Sequence, residues 1–188
     1  MKRHALLALL FLTNAPLAHA GDLVDAAEKA ESLVEAEKFP EAIKTLEDAR
    51  DSVWEQSPLT INNAILVAGD PSGYGVYDPR PNNEFKAGEP IVIYTEPKSY
   101  AFGRDGDFYT LKIDLDYDIQ DASGQSLAKQ EKFSTWEFKS RVQNREFMGK
   151  LTYNLKGVPA GDYKIITTAR DQNADSSVEF SNTIKIVE

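Results

Sequence analysis

The sequence predicts a mainly β protein, with an N-terminal α-helical hairpin followed by an antiparallel β-sandwich of about seven strands. Three observations predict it. Apolar residues recur at helical spacing over residues 22–55, and from Ile61 onward the period drops to two. Turn signals then punctuate the second region at short intervals.

Taken in order, the chain opens MKRHALLALLFLTNAPLAHA. Lys2 and Arg3, the apolar run 5–12 and the small-x-small triplet Ala18-His19-Ala20 have the form of a secretory signal peptide over 1–20. The apolar run is too short to cross a bilayer, which takes roughly 20 residues, and no later segment is long and apolar enough. The expectation is an exported protein, periplasmic or secreted, that is not integral to the membrane and starts near Gly21.

Residues 21–57 are expected to form the hairpin. Leu23, Ala27, Ala30 and Val34 make one apolar stripe; Ala42, Leu46, Ala49 and Val53 make a second, flanked by Ile43 and Trp54. Phe39-Pro40 breaks the pattern, and Pro is tolerated in the first turn of a new helix. Residues 58–188 are expected to form the sandwich. Tyr109, Leu111, Ile113, Leu115, Tyr117 and Ile119 alternate with polar residues, as a strand with one buried and one wet face requires. The same alternation marks 147–155 through Leu151 and Tyr153, and 178–186 through Phe180 and Ile184. Weaker strands are expected at 61–67, 90–96, 133–142 and 163–170, with turns at Asp105-Gly106, Ser123-Gly124, Gln143-Asn144 and Pro159-Ala160-Gly161.

Two segments carry a family resemblance. FKAGEPIVIY (85–94) resembles the approach to the second strand of bacterial immunoglobulin-like domains, and LKGVPAGDYKIITTARD (155–171) resembles their late strand pair. The resemblance implies an immunoglobulin-like sandwich with Tyr163 as a tyrosine corner, bonded to backbone a few residues upstream, and Trp136 in the core. The whole chain is similar to exported bacterial proteins built on such a sandwich. In the hairpin, Ala30, Leu33, Phe39, Ala42, Ile43, Leu46 and Ala49 resemble one tetratricopeptide unit, without a second copy.

Composition then excludes chemistry. The only histidines, His4 and His19, lie in the expected signal peptide, and the chain has no Cys. Residues 21–188 therefore offer no Ser-His-Asp triad, no Cys nucleophile and no N/S zinc site. Met148 is the only Met left there, so a Met-rich copper site is out. No catalytic residue, metal or cofactor is expected. Without residues 1–20 the 21 basic residues fall to 19 against 30 acidic ones, a net charge of about −11. Such a surface repels phosphate backbones, so nucleic acid is not an expected partner. The triplet Asp114, Asp116, Asp118 fails as an EF-hand, because Ile119 and Gln125 stand where its Gly and Glu belong. It reads as a solvated strand face.

Two groups suit recognition. Tyr74, Tyr77, Arg80, Tyr100, Phe102 and Arg104 lie in irregular segments, where Tyr and Arg offer large, fairly rigid contact surface. Lys139, Arg141, Arg145 and Lys150 form a basic strip suited to electrostatic docking, against a hairpin with eleven acids and four bases. The expected function is a non-catalytic binding or assembly protein that recognises an envelope protein or peptide. A carbohydrate-binding module is the alternative, with a carboxylate-based hydrolase third.

Overall fold

The computed structural model describes residues 20–188, so the expected signal peptide lies outside the described residues except for Ala20, where the first helix begins. The fold is mainly β with two N-terminal helices, as the periodicity predicts. Two compact units divide the chain, Met1–Gln56 and Ser57–Glu188. Among the described residues no helix is long and apolar enough to cross a membrane.

In the first unit, α1 (Ala20–Glu35) and α2 (Phe39–Gln56) form an antiparallel pair. A Schellman motif ends α1: the Lys38 N–H donates to Leu33 O at 2.8 Å and the Glu37 N–H to Val34 O at 2.9 Å. Glu37 takes the left-handed position that glycine usually fills, with φ 57°. The seam between the helices is made of small side chains. Ala30 and Ala42 are buried, flanked by the half-buried Ala26, Leu33, Thr45, Ala49 and Ser52. The expected stripes are therefore shifted: Ala30, Ala42 and Ala49 lie in the seam, whereas Leu23, Val34, Leu46 and Val53 are exposed.

The second unit holds nine strands, two of them only three residues long. One sheet has the order β1-β3-β7, from β1 (Thr60–Val67), β3 (Ile91–Lys98) and β7 (Gly149–Tyr153), all antiparallel. The other is mixed and curls into a half-barrel. It runs β2 (Glu84–Lys86), β9 (Ser176–Val187), β8 (Gly161–Asp171), β5 (Phe108–Asp121), with β6 (Ser126–Ser140) on the far edge of β5. The strand β4 (Gly103–Asp105) takes up the start of β5 beyond the reach of β8. Only β2 is parallel, pairing Phe85 with Ile186.

Alternation along β5 works as expected on its inner side. Leu111, Ile113, Leu115 and Ile119 are buried and face Ile91, Ile93, Leu151, Ile165, Ile184 and Ile186 in one apolar core. Trp136 of β6 joins the two sheets. Its indole lies across Gly149 of β7, where any Cβ would overlap the ring and come within 2.6 Å of Thr95 Oγ1. Tyr163 behaves as the late-strand motif implies, donating its hydroxyl to Pro159 O at 2.7 Å.

The outer side of β5 departs from expectation. Asp114 and Asp116 are only 7% exposed and fully engaged. Asp114 accepts from Thr135 Oγ1 at 2.7 Å and pairs with Lys132 Nζ at 2.9 Å. Asp116 accepts from the Lys132 backbone N–H at 2.8 Å and pairs with Arg170 at 2.7 Å. Opposite Asp116 the β5–β6 ladder slips register, with Lys132 at φ 49°. Asp116 thus caps the free backbone of a β-bulge. This face is a polar lock rather than a solvated surface, because neighbouring strands bring counter-charges that one strand's alternation cannot reveal.

Candidate functional site

The segment that leads from β1 to β2 is itself folded. Ala68 and Arg80 donate backbone N–H groups to Asp78 O and Leu66 O, and a tight turn closes at Gly73–Val76. Within this arm Tyr77 stacks on Tyr94 with centroids 4.2 Å apart, against the cluster of Val67 and Val92. The Tyr94 hydroxyl accepts from Gly75 N at 2.7 Å and donates to Glu96 at 2.7 Å. Burial, with Glu96 close by, pushes Tyr94 up to about 12, so it stays a neutral donor. Arg80 is a clamp: its guanidinium pairs with Glu89 at 2.8 Å, donates to Glu84 O at 2.6 Å, and lies 4.0 Å over the Phe85 ring. Tyr77 and Arg80 therefore secure the arm to the core.

Tyr74, at the tip of the arm, receives Lys98 Nζ over its ring at 4.7 Å and as a hydrogen-bond donor at 2.5 Å. Burial raises the pKa of the Tyr100 phenol, opposed by the Arg145 charge and slightly aided by Tyr74. Tyr100 is 1% exposed and donates to Asn144 O at 2.5 Å, so it anchors the 141–148 connection to the end of β3. Phe102 stands edge-on to both Tyr100 and Tyr109, at 5.4 and 6.0 Å. Asp171, buried at the end of β8, accepts from the backbone N–H groups of Ala101 and Asn173 at 2.6 and 2.8 Å. Burial pushes its pKa up against those bonds.

Around this anchor, cations lie on ring faces. Arg104 sits 3.5 Å over Tyr109, Arg145 5.4 Å over Phe102, and Lys139 and Arg141 each 4.7 Å over Phe108. Cross-strand register explains the pattern. Arg104 is paired with Tyr109, and Asp105 with Phe108, so the first two residues of β5 send one ring to each face of the sheet. Arg104, Phe102 and Arg145 gather with Tyr109; Lys139, Arg141 and Asp105 gather with Phe108, where Lys139 pairs with Asp105 at 2.5 Å. Beside the second group lies an open depression of about 370 Å³, lined by Asp105, Thr110, Lys112, Glu137, Lys139 and Asn173. Among the described residues no carboxylate pairs with Arg104 or Arg141, and both are exposed.

At one end of the β unit the structure thus places Tyr100, Phe102, Arg104 and Arg145, with Tyr74 nearby, on one face of the sheet, and Lys139 and Arg141 on the other. It leaves Tyr77 and Arg80 on the arm, and Lys150 paired with Asp70 at 3.1 Å. Sequence reasoning passed over Phe108, Tyr109 and Phe147, which read as strand residues. Phe147 closes the corner by meeting Tyr100, Trp136 and Phe138 at 6.4, 6.3 and 5.9 Å. Alternation places a residue on a face; only the partner strand shows what shares that face. Among the described residues no group of three acidic side chains is arranged to hold a metal ion.

No protein-family model matches the chain, and no curated protein matches it in sequence. Solved structures with partial likeness include a superoxide reductase (neelaredoxin) from Ignicoccus hospitalis, 11% identical over 70% of this chain and 81% of that one, at a TM-score of 0.36. The sporulation control protein Spo0M from Bacillus subtilis is 10% identical over 70% of this chain and 50% of its own, at 0.35. The alkylpurine DNA glycosylase AlkC from Pseudomonas fluorescens, bound to DNA containing an abasic site analogue, is 12% identical over 84% and 42%, at 0.38. Likeness at this level bears on no activity.

Proposed function

We propose that this is a non-catalytic binding or assembly protein of the bacterial periplasm, which recognises an envelope protein or peptide. Its working surfaces are the aromatic–arginine corner of an immunoglobulin-like sandwich and the acidic helical pair. One observation carries the reading: Arg104 and Arg141 are exposed, laid on the faces of Tyr109 and Phe108, and lack a carboxylate partner among the described residues. A guanidinium held on a ring loses little side-chain entropy when it meets a carboxylate or carbonyl of a partner. Arg and aromatic residues are also the types that dominate interface energetics. Two facing sheets, with β2 beside β9 and Tyr163 on Pro159 O, support the immunoglobulin-like description.

The absence of His and Cys from residues 21–188 favours contact over catalysis. A row of free, coplanar aromatic faces would favour a glycan, but here the rings of Tyr74, Tyr109 and Phe108 each carry a cation. The test is co-purification from periplasm of the wild-type chain beside an Arg104→Ala/Arg141→Ala variant. The expected result is one envelope protein retained by the first and lost, by tenfold or more, from the second. Equal retention by both, or sugar-dependent quenching of aromatic fluorescence without a protein partner, contradicts the reading.

A further inference from the structure

We infer that the chain associates with a second copy of itself through the open edge of β6, the two strands running antiparallel about Phe138. The ladder decides which backbone groups are open. Lys112 O accepts from the Gln172 N–H and Thr110 O from Asn173 Nδ2, so at this end of β5 the even residues turn their backbone groups toward β8. Leu111 and Ile113 then turn theirs toward β6, where Phe138 and Trp136 stand opposite. The N–H and C=O groups of Thr135, Glu137 and Lys139 point the other way. Among the described residues no strand pairs with β6 on that side.

The other edges of the β unit are engaged or short. β1 is bonded on its outer side by the Arg80 N–H at Leu66 O and by Asn182 at Ala64 O. β7 faces the Trp136 indole, and β2 and β4 have three residues each. Edge strands are commonly guarded by Pro, a bulge or an unbalanced charge. Residues 134–140 contain no Pro and keep an unbroken register with β5 as far as Ser134. The bulge at Lys132 ends this stretch rather than interrupting it.

Charge names the occupant. The run Glu137-Phe138-Lys139 is its own complement when a second strand runs antiparallel about Phe138. Glu137 then stands opposite the partner's Lys139, and Lys139 opposite the partner's Glu137, both at positions whose backbone groups face outward. Within one chain Lys139 pairs with Asp105 at 2.5 Å, and Glu137 with Lys112 at 2.8 Å. Association joins these pairs into one row of alternating sign, from Asp105 through Lys139 to the partner's Glu137 and the partner's Lys112. The next register in either direction sets Glu137 against Glu137 or Lys139 against Lys139, and like charges directly opposite are destabilising.

On the inner face Phe138 is 38% exposed, although Leu111 beside it is buried. About the two-fold axis the two Phe138 residues form a non-hydrogen-bonded pair, the closer kind, and each ring covers the open side of the other. A seam of about five residues a side is small for an interface, and the net charge of about −11 on each copy opposes it. The dimer is therefore expected to be weak, half-formed at about 10–100 µM. Neither Arg104 nor Arg141 enters the charge row, so the association does not rest on the recognition reading.

The test is sedimentation equilibrium of the chain from Gly21 to Glu188, beside the single charge reversals Glu137→Lys and Lys139→Glu. Each reversal alone sets like charges opposite one another, and is expected to raise the dimer Kd tenfold or more. An equimolar mixture of the two variants restores opposite charges at both pairs, and is expected to associate as the wild type does. Circular dichroism verifies that both variants keep the β fold. A wild type that stays monomeric at about 300 µM overturns the inference. So does a dimer indifferent to either reversal, or a mixture that fails to recover association.

Discussion

Gly149 and Trp136 illustrate how a single side chain ties the two sheets. The indole crosses the backbone of β7 at the one residue without a Cβ, and donates its N–H toward Lys150 O at 3.4 Å. Thr95 donates to Gly149 O at 3.0 Å and crowds the same Cβ position, so both neighbours are held against it. Gly149→Ala is therefore expected to destabilise the β unit by about 1–3 kcal/mol, the usual penalty for overpacking a filled core. Urea unfolding followed by Trp fluorescence measures it, and an unchanged midpoint would show that the indole has room to move. At this scale the sequence was partly readable. The roles of Tyr163 and Trp136 follow what the resemblance to immunoglobulin-like strands implies, a hydroxyl bonded to Pro159 O and an indole in the core. The roles of Asp114 and Asp116 were hidden, since their partners Thr135, Lys132 and Arg170 arrive from distant parts of the chain.

Among the elements, the link between α1 and α2 shows a conflict between conformation and residue type. Glu37 occupies a left-handed position at φ 57°, which costs a residue with a Cβ about 1–2 kcal/mol relative to glycine. Glu37→Gly is expected to stabilise the helical pair by about 1 kcal/mol, less some loss to unfolded-chain entropy. Thermal melting followed by helical circular dichroism reads this, and a lower melting point would contradict it. The helical period itself was legible, but the choice of seam was not. Periodicity marks every apolar residue alike, whereas close approach of two helices selects alanines and turns the larger side chains outward. Similarly, β6 begins at Ser126 rather than near Phe133, because its first half is exposed on both faces and has no alternation to read. Seven strands were foreseen through their buried faces; β2 and β4, at three residues each, are too short to show a period.

For the whole molecule, charge sets both the response to acid and the choice of partner. Burial raises the Asp114 pKa, but the Thr135 hydroxyl and Lys132 ammonium outweigh it and hold the group below its ordinary 3.8. Asp118, through Ser126 and Gln120, and Asp121, through Ser123 and Gln125, are also held below that value. Each contributes stability that is complete above the unfolded pKa and is lost as pH falls through the lower folded one. Asp171 has the opposite sign, its raised pKa making its ionised form a cost above 3.8. Glu89, held down by the Lys86 backbone N–H and by Arg80, is lowered as well, and four lowered carboxylates against one raised predict a urea midpoint that falls between about pH 5 and pH 2, less steeply in Asp114→Asn. A flat profile would contradict the polar lock on β5.

The same uneven charge leaves Arg104 and Arg141 as exposed cations in a strongly acidic protein, and the account rests on their meeting a partner. The most direct measurement is in-cell photo-crosslinking from Val142, which is 65% exposed beside Arg141. The account predicts one dominant adduct with an envelope protein, which disappears when Arg104 and Arg141 are replaced by alanine. No adduct, or the same adducts with and without the two arginines, would contradict it.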